Sequence, residues 1–423
     1  MTRSDGRPTI STMDIELITI GTELLLGFTV DTNGAWLGRA LAARGVRVVR
    51  RTSVADDAAQ IRDAIGAALA RTGAVLTTGG LGPTRDDVTK QVIAELFDAP
   101  LEFHQGVWDE LERRYARLGR TLAALNRNQA EVPRGAVVLP NRAGTAPGLW
   151  LEGARGLAIV LPGVPREMMG LMEDEVLPRL AGRGHGRVIR SRTVRTTLIP
   201  ESNLAERLGD IETVIAPLTL AYLPGIEGVD LRVTAWDLEP DEADARLATA
   251  VASLRERAGE WVYAEGDGDL AAVVLAEAER QQLTVGTAES CTGGLIGGRL
   301  TAIPGSSRAF RGGIIAYDNA IKSQVLHVDP ALIAAHGAVS EEVARAMARG
   351  AREALGVDAA VSVTGIAGPE GGSEAKPVGT VWIGLSVRDR EEAVRYVLVG
   401  SRGEIRSRAA QACLFRLWRM LGD

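Results

Sequence analysis

From Asp14 onward the chain alternates short apolar, β-rich runs with segments of helical spacing, and this alternation is the tightest restriction on its fold. Residues 15–20, 46–49 and 74–78 read as strands, and residues 33–44 and 58–70 as the helices between them. Such alternation builds βαβ units, which give an α/β fold with a parallel sheet covered by helices on both faces. A helix over 166–180 and the glycine-rich Ala181-Gly182-Arg183-Gly184-His185-Gly186 close a first domain spanning 14–186. Residues 187–265 read differently: a strand at 190–198, a short helix at 202–208, a strand at 229–235 and an amphipathic helix at 241–257. That is a small α+β module. A third, α/β domain takes residues 266–423. The polar leader, residues 1–13, is expected to be disordered, with Met13 as an alternative start.

Composition narrows the classes further. Aromatic residues are 4% of the chain, so the cores must be built from Ala, Val, Leu and Ile. The net charge of −6, with Arg dispersed among acids, is not that of a duplex-binding surface, and nucleic acid is not an expected partner. Two cysteines, Cys291 and Cys413, imply no disulfide framework and fit a reducing cytoplasm. No apolar run reaches membrane-spanning length, so no membrane association is expected.

The most informative local motif is Ala288-Glu289-Ser290-Cys291-Thr292-Gly293-Gly294. It follows the apolar run 283–288 and precedes Leu295, Ile296 and Leu300, which have helical spacing. A strand, a sharp turn and a helix N-terminus are predicted, with Ser290 at the turn. Backbone N–H groups at such a terminus bind phosphate or an oxyanion, and the glycines permit close approach. The plainer alternative is an ordinary strand–helix turn with a Ser or Thr cap.

Four further segments accompany it: Gly305-Ser306-Ser307 with the run Phe310 to Tyr317, Asn319-Ala320-Ile321-Lys322, Gly337-Ala338-Val339-Ser340, and Val363-Thr364-Gly365-Ile366-Ala367-Gly368-Pro369 leading to Lys376-Pro377-Val378-Gly379-Thr380. Together they closely resemble the nicotinamide-nucleotide amidase domain that closes proteins of the competence/damage-inducible protein A (CinA) family. The resemblance implies that Ser290 attacks the carboxamide of nicotinamide mononucleotide with help from Lys322 and Tyr317. It implies a substrate pocket of Glu289, Thr292, Gly293, Gly294, Thr364, Gly365 and Gly368, and no cofactor. None of the four His residues lies in these motifs, so a Lys kept neutral by its surroundings is the available base. Cys291 is a rival nucleophile. Ser340 with Glu341 and Glu342 reads as a helix cap and first turn. Where the family often has Gly-Asp-Arg, this chain has Gly400-Ser401-Arg402.

In the first domain, Gly21-Thr22-Glu23, Asn33 and Gly79-Gly80-Leu81-Gly82-Pro83-Thr84-Arg85-Asp86-Asp87 fall where strands end and helices begin, the edge at which open α/β sheets bind ligands. Gly79, Gly80 and Gly82 are read as a backbone nest for phosphate, Gly21, Thr22, Glu23, Asn33 and Thr84 as further nucleotide-binding residues, and Asp86 and Asp87 as ligands for a divalent metal, Mg or similar. The stretch resembles the molybdopterin-binding fold and, more closely, the N-terminal domain of the same family, together with Gly144-Thr145-Ala146-Pro147-Gly148 and Leu161-Pro162-Gly163. The resemblance implies metal-dependent hydrolysis of ADP-ribose. Arg127-Asn128-Gln129-Ala130 departs from the usual Lys-Gln-Ala. The middle module resembles the KH-like insert of the family and is read as lacking the Gly-x-x-Gly loop that clamps single strands.

The leading expectation is a cytoplasmic, homodimeric enzyme of pyridine-nucleotide salvage with two hydrolytic activities. The alternatives are a nucleotide-binding interaction protein linked to competence or DNA damage, and an N-terminal domain that binds molybdopterin.

Overall fold

The computed structural model describes residues 13–181, 183 and 187–422, so the leader apart from Met13, and the glycine-rich boundary at residue 186, lie outside the described residues. The chain forms two compact units: one runs to Arg190 and includes Ala235–Ala245, the other takes Ser191–Thr234 and continues from Arg246.

In the first unit, strands β1 (Met13–Ile20), β2 (Val46–Val54) and β3 (Ala74–Thr78) are followed by a short antiparallel pair, β4 (Leu101–Phe103) and β5 (Glu131–Pro133). Then come β6 (Val137–Leu139), β7 (Gly148–Gly153) and β8 (Gly156–Leu161). The main sheet has the order β2-β1-β3-β8-β7-β6. Its first four strands are parallel, as the alternation requires, while β7 and β6 are antiparallel. Asp31 and Asp57 cap the helices Thr32–Ala42 and Ala58–Thr72 by accepting from Gly34 N and Gln60 N. Ile18, Val75 and Val160 pack against the second of these helices, and Ile15, Leu76 and Ile159 against the first, so both sheet faces are buried. The helix predicted over 166–180 is interrupted by a wider turn, Met172–Val176, between Pro165–Leu171 and Leu177–Leu180. Pro178 lacks the N–H that would continue the regular ladder, which accounts for the irregularity.

The middle segment supplies β9 (Val188–Thr196), β10 (Thr219–Pro224), β11 (Val229–Leu238) and β12 (Val262–Glu265), in the order β10-β11-β9-β12. One sequence reading is corrected here. Gly225-Ile226-Glu227-Gly228 does have Gly-x-x-Gly spacing, but it closes the β10–β11 hairpin, with Gly225 N–H donating to Gly228 O at 2.8 Å. A side chain on Gly228 would strike the Thr196 carbonyl, so that glycine serves a close approach. Glu227 pairs with Arg195 and Arg299, which puts a carboxylate where a phosphate clamp would need a cation.

The C-terminal sheet comprises β13 (Val285–Glu289), β14 (Phe310–Ile315), β15 (Ala359–Gly365), β16 (Thr380–Val387) and β17 (Arg390–Val397), in the order β14-β13-β15-β16-β17. The first three strands are parallel and the last two antiparallel. One face packs on the helices Leu270–Arg280 and Arg402–Gly422. The other packs on Glu341–Leu355, whose Val343, Met347 and Ala351 meet Leu326 at the end of the helix Asn319–Leu326. The two helices touch at Gly350, where a Cβ would collide with the Leu326 backbone carbonyl.

Gly350→Ala should therefore destabilise the protein by roughly 1–3 kcal/mol, as overpacking does. Helix propensity alone gives the opposite sign, by about 1 kcal/mol. Chemical denaturation distinguishes the two.

Candidate functional sites at two sheet edges

In the C-terminal sheet, register brings the predicted residues together. Glu289 pairs with Ile315 on one side and Val363 on the other, so Ser290, Ala316 and Thr364 stand at the same level. Because the three strands are parallel, all three chain exits lie on one edge. Ser290 is buried, and its N–H donates to Val363 O at 3.0 Å, which pins the turn to the sheet.

Lys322 comes from the helix Asn319–Leu326, capped by Asp318. Long side chains on helices project toward the N-terminus, and here that direction carries the amine back under β14's end. Its Nζ donates to Ala316 O (2.9 Å) and Tyr317 O (3.1 Å) and lies 3.4 Å from Ser290 Oγ. The residue is 1% exposed, and burial lowers its pKa against an opposing pull from Asp318. A neutral amine has two hydrogens and one lone pair. With the hydrogens given to the two carbonyls, the lone pair is left toward Ser290 Oγ, which is the arrangement a base needs.

Tyr317 stands at the rim, 62% exposed, and its hydroxyl accepts from Arg402 at 3.2 Å. The same guanidinium donates to Gly368 O at 2.6 Å. Two turn carbonyls, of Cys291 and Thr292, accept from Arg406 at 3.0 and 2.7 Å. Arg402 and Arg406 stand one turn apart on the last helix and were not singled out from the sequence. A readable signal adjoined them: Ser401-Arg402-Gly403-Glu404 has capping-box spacing, and Ser401 and Glu404 do cap each other. Ser401 thus has a structural part where the family often has an acid.

Glu289 departs from its expected role on the substrate. Its buried carboxylate accepts from Gly294 N (2.9 Å), Ile296 N (3.2 Å) and Gly297 N (2.8 Å). The helix N-terminus expected to receive phosphate is filled by the chain's own anion, which the dipole and the unpaired N–H groups favour. Gly293 and Gly294 both have left-handed φ, 59° and 96°, so the turn needs them for its shape. Thr292 is fully buried and its Oγ1 has no hydrogen-bond partner. Thr364 donates to Ala338 O at 2.8 Å, while Gly365 and Gly368 lie against Val381 and Val378. Ser340 caps the helix Glu341–Leu355 by accepting from Val343 N, as read from sequence.

At the N-terminal sheet's carboxyl edge, Asn33 Nδ2 donates to Gly163 O (2.7 Å) and to Thr78 Oγ1 (3.3 Å), while its buried Oδ1 has no partner. Glu23 and Asn33 line one small cavity there, together with Thr78 and Gly163. Gly21 N–H donates to Val54 O, and Thr22 donates to Asp56 through both N and Oγ1. Gly79 (φ 117°) has its N–H committed to Leu161 O and lies against the Ile20 carbonyl. Gly80 presses on Thr89 Oγ1 and Gly82 on the Asp87 carboxylate. Thr84 donates to Asp87 through N (2.9 Å) and Oγ1 (2.5 Å), and its hydroxyl also lowers the pKa of Asp86. Several donors expected in a phosphate nest are therefore spent on the protein itself. Among the described residues no three His, Cys, Asp or Glu side chains gather as a metal cluster. Asp86 and Asp87 leave a two-carboxylate set, which suits Mg when water and substrate phosphates complete its shell.

Lys90 was not anticipated. It is buried beside this loop, its Nζ donates to Asn128 O and Glu131 O, and burial lowers its pKa to about 8. It ties down the 127–130 segment, where Arg127-Asn128-Gln129-Ala130 stands in place of the Lys-Gln-Ala of the resembled domain.

Three family descriptions match the chain: the probable molybdopterin binding domain over residues 16–182, the damage-inducible protein CinA KH domain over 191–264, and the CinA C-terminal domain over 267–421. A CinA-like protein of Gemmatimonas aurantiaca is 54% identical over 411 residues, 96% of each chain. A CinA-like protein of Salinibacter ruber is 44% identical over 97% of this chain and all of its own. The crystal structure of CinA from Thermoplasma acidophilum, 34% identical, matches 38% of this chain and 95% of its own, with a TM-score of 0.36.

Burial pushes the Cys291 thiol up to about 11, so at pH 8 it is almost wholly protonated. Iodoacetamide at that pH should leave Cys291 unmodified in the folded protein by peptide mass spectrometry. Rapid native-state alkylation would restore it as a rival nucleophile.

Proposed function

The chain belongs to the CinA family, and from that premise we propose that its C-terminal domain is an amidase converting nicotinamide mononucleotide to nicotinate mononucleotide and ammonia. The observation that carries this reading is the buried Lys322 amine, whose only free direction is toward Ser290 Oγ. Lys322 takes the Ser290 hydroxyl proton as Oγ bonds to the carboxamide carbon. The Lys322 ammonium then returns a proton to the departing nitrogen, the C–N bond breaks, and ammonia leaves behind an ester on Ser290. A water, deprotonated by Lys322, attacks that ester, and nicotinate leaves as the carboxylate with Ser290 reprotonated. Tyr317, which accepts from Arg402, keeps its own O–H to donate to the oxyanion. Arg402 and Arg406 supply positive charge for the substrate phosphate, a part the occupied helix terminus does not take.

A second activity, ADP-ribose hydrolysis at the N-terminal sheet edge, is supported by the unpartnered Asn33 Oδ1 and by two adjacent carboxylates, Asp86 and Asp87, the second of which also accepts from Thr84. These acids would hold a divalent ion, which when bound neutralises pyrophosphate charge. Asn33 orients the substrate, and the glycine loop lets it approach the backbone.

Ser290→Ala should lower ammonia release from nicotinamide mononucleotide by at least ~10³-fold with the fold intact. Unchanged turnover would end the amidase reading and leave a nucleotide-binding domain. The rate should rise with pH through a pKa below the ordinary lysine value of 10.5, since only the neutral amine accepts a proton and burial lowers its pKa. Lys322→Met should abolish turnover across the whole pH range.

A chelator, or Asp87→Asn, should stop ADP-ribose hydrolysis and spare ammonia release. ADP-ribose hydrolysis that survives both would refute the metal site.

A further inference from the structure

The short helix Leu295–Thr301, which follows the Ser290 turn, is tied at both ends to groups outside it. Its start is filled by the carboxylate of Glu289, the residue just before Ser290. Its last turn carries Arg299, which has three partners. Nη1 donates to Gln411 Oε1 at 2.8 Å, Nη2 donates to Asp269 Oδ1 at 2.7 Å, and the Glu227 carboxylate lies 3.5 Å from Nη2. Each partner belongs to a different element. Asp269 caps the helix Leu270–Arg280, Gln411 is on the last helix with Arg402 and Arg406, and Glu227 is in the hairpin turn between β10 and β11.

The hairpin is itself seated on the end of β9. Thr196 Oγ1 donates to Val229 O at 2.7 Å and Thr197 Oγ1 to Glu227 O at 2.5 Å. Gln411, 1% exposed, joins the two halves: its Oε1 accepts from Arg299 while its Nε2 donates to Thr197 Oγ1 at 3.2 Å. Arg195 adds a second cation, 3.4 Å from Glu227 and 3.1 Å from Asp230, and donates to Gly268 O, next to Asp269, at 3.0 Å. Carboxylates and cations thus alternate from Asp230 through Arg195, Glu227 and Arg299 to Asp269. The Arg195 and Arg299 side chains are each 18% exposed, so salt screens them less than it would a surface pair.

A polar network between two segments can serve docking alone. Two features go further. A seven-residue helix has little stability of its own, so its direction depends on what holds its ends. Ile296 and Leu300 bury its apolar side, but apolar contact is non-directional. Among the described residues, the directional side-chain bonds that reach it from other elements are those of Glu289 and of the Arg299 partners. Through Gln411, the same guanidinium also meets the helix that carries Arg402 and Arg406.

We propose that Arg299 is a positioning residue for the Ser290 turn, held in place by Glu227, so that the hairpin of the middle segment sets the geometry of the amidase site. The inference rests on the amidase reading for the reaction it serves, while the tie between hairpin and turn is measured without turnover.

In the full chain, Arg299→Met should lower kcat for ammonia release from nicotinamide mononucleotide at least ~10-fold and shift KM less than about 2-fold, because Arg402 and Arg406 stay in place while the Ser290 turn moves. Arg299→Lys, which keeps the charge without the planar fork, should recover part of the loss. Glu227→Gln should lower kcat in the same sense, and the double variant should be no slower than Arg299→Met alone, since both act through one contact. The N–H groups of Gly294, Ile296 and Gly297 should exchange hydrogen at least ~10-fold faster in Glu227→Gln than in the unsubstituted chain, with the amides of β15 unchanged. An unchanged kcat in Arg299→Met, unchanged exchange at these three amides, a loss confined to KM, or losses that multiply in the double variant would each overturn the positioning role. If Arg299→Met does not fold, Glu227→Gln, in a hairpin turn, carries the same test through its kcat and its exchange. Absence of ammonia release from the unsubstituted chain would strike only the amidase reading. Exchange in Glu227→Gln would then still decide the tie, faster exchange supporting it and unchanged exchange ending it.

Discussion

The C-terminal site depends on a lysine amine held out of water. A buried ammonium is costly unless its charge is matched, and among the described residues no carboxylate bonds to the Lys322 amine; its partners are two carbonyls and a hydroxyl. Those carbonyls belong to the residues just after β14, and the hydroxyl to the residue just after β13. The amine is therefore located by the parallel pairing of two adjacent strands, and its protonation state by the packing above it. The contact between Gly350 and the Leu326 carbonyl seats the helix that carries Lys322. Core packing and the desolvation of this amine are in this sense one constraint.

Electrostatics around the turn follow from the same economy. A helix N-terminus is usually an invitation to an anion, but here Glu289 accepts that invitation first. The turn is tied to the helix that follows, and the positive end of that helix is neutralised. Arg402 and Arg406 come from the far end of the chain, reaching Tyr317, Gly368 and the turn carbonyls. The N-terminal sheet edge has the opposite character. Its glycines are held against neighbouring backbone and side chains, Thr22 and Thr84 are bonded to acids, and its openness lies to one side, where arginines gather on the helix Gln105–Arg117.

Much of this was legible because it is local. The strand over Ala74–Thr78 and the elbow at Ser290 rest on neighbouring residues, and their patterns survive folding unchanged. Asp31, Asp57 and Ser340 were in cap positions that need nothing beyond their own helix. The misreadings arose where a local pattern has two uses. Gly225 to Gly228 has the spacing of a nucleic-acid clamp and the geometry of a hairpin turn, and only pairing between β10 and β11 decides. Glu289 in sequence is a polar residue next to Ser290, and nothing local says that it turns back onto the following helix.

The sequence by itself determined the alternating α/β order, the order of the three segments, and the two sheet edges at which glycines and reactive side chains collect. These follow from periodicity and from turn chemistry, which act over a few residues. Only the tertiary structure decided which groups face Ser290. Ser290 and Lys322 are 32 residues apart, and the partners Arg402 and Gly368 are 34 apart. It also decided that Lys322 loses its water, that Glu289 is spent on a helix, and that four arginines from two elements share one cavity. Desolvation and charge are properties of the space around a side chain, and that space is enclosed by residues far away in the chain.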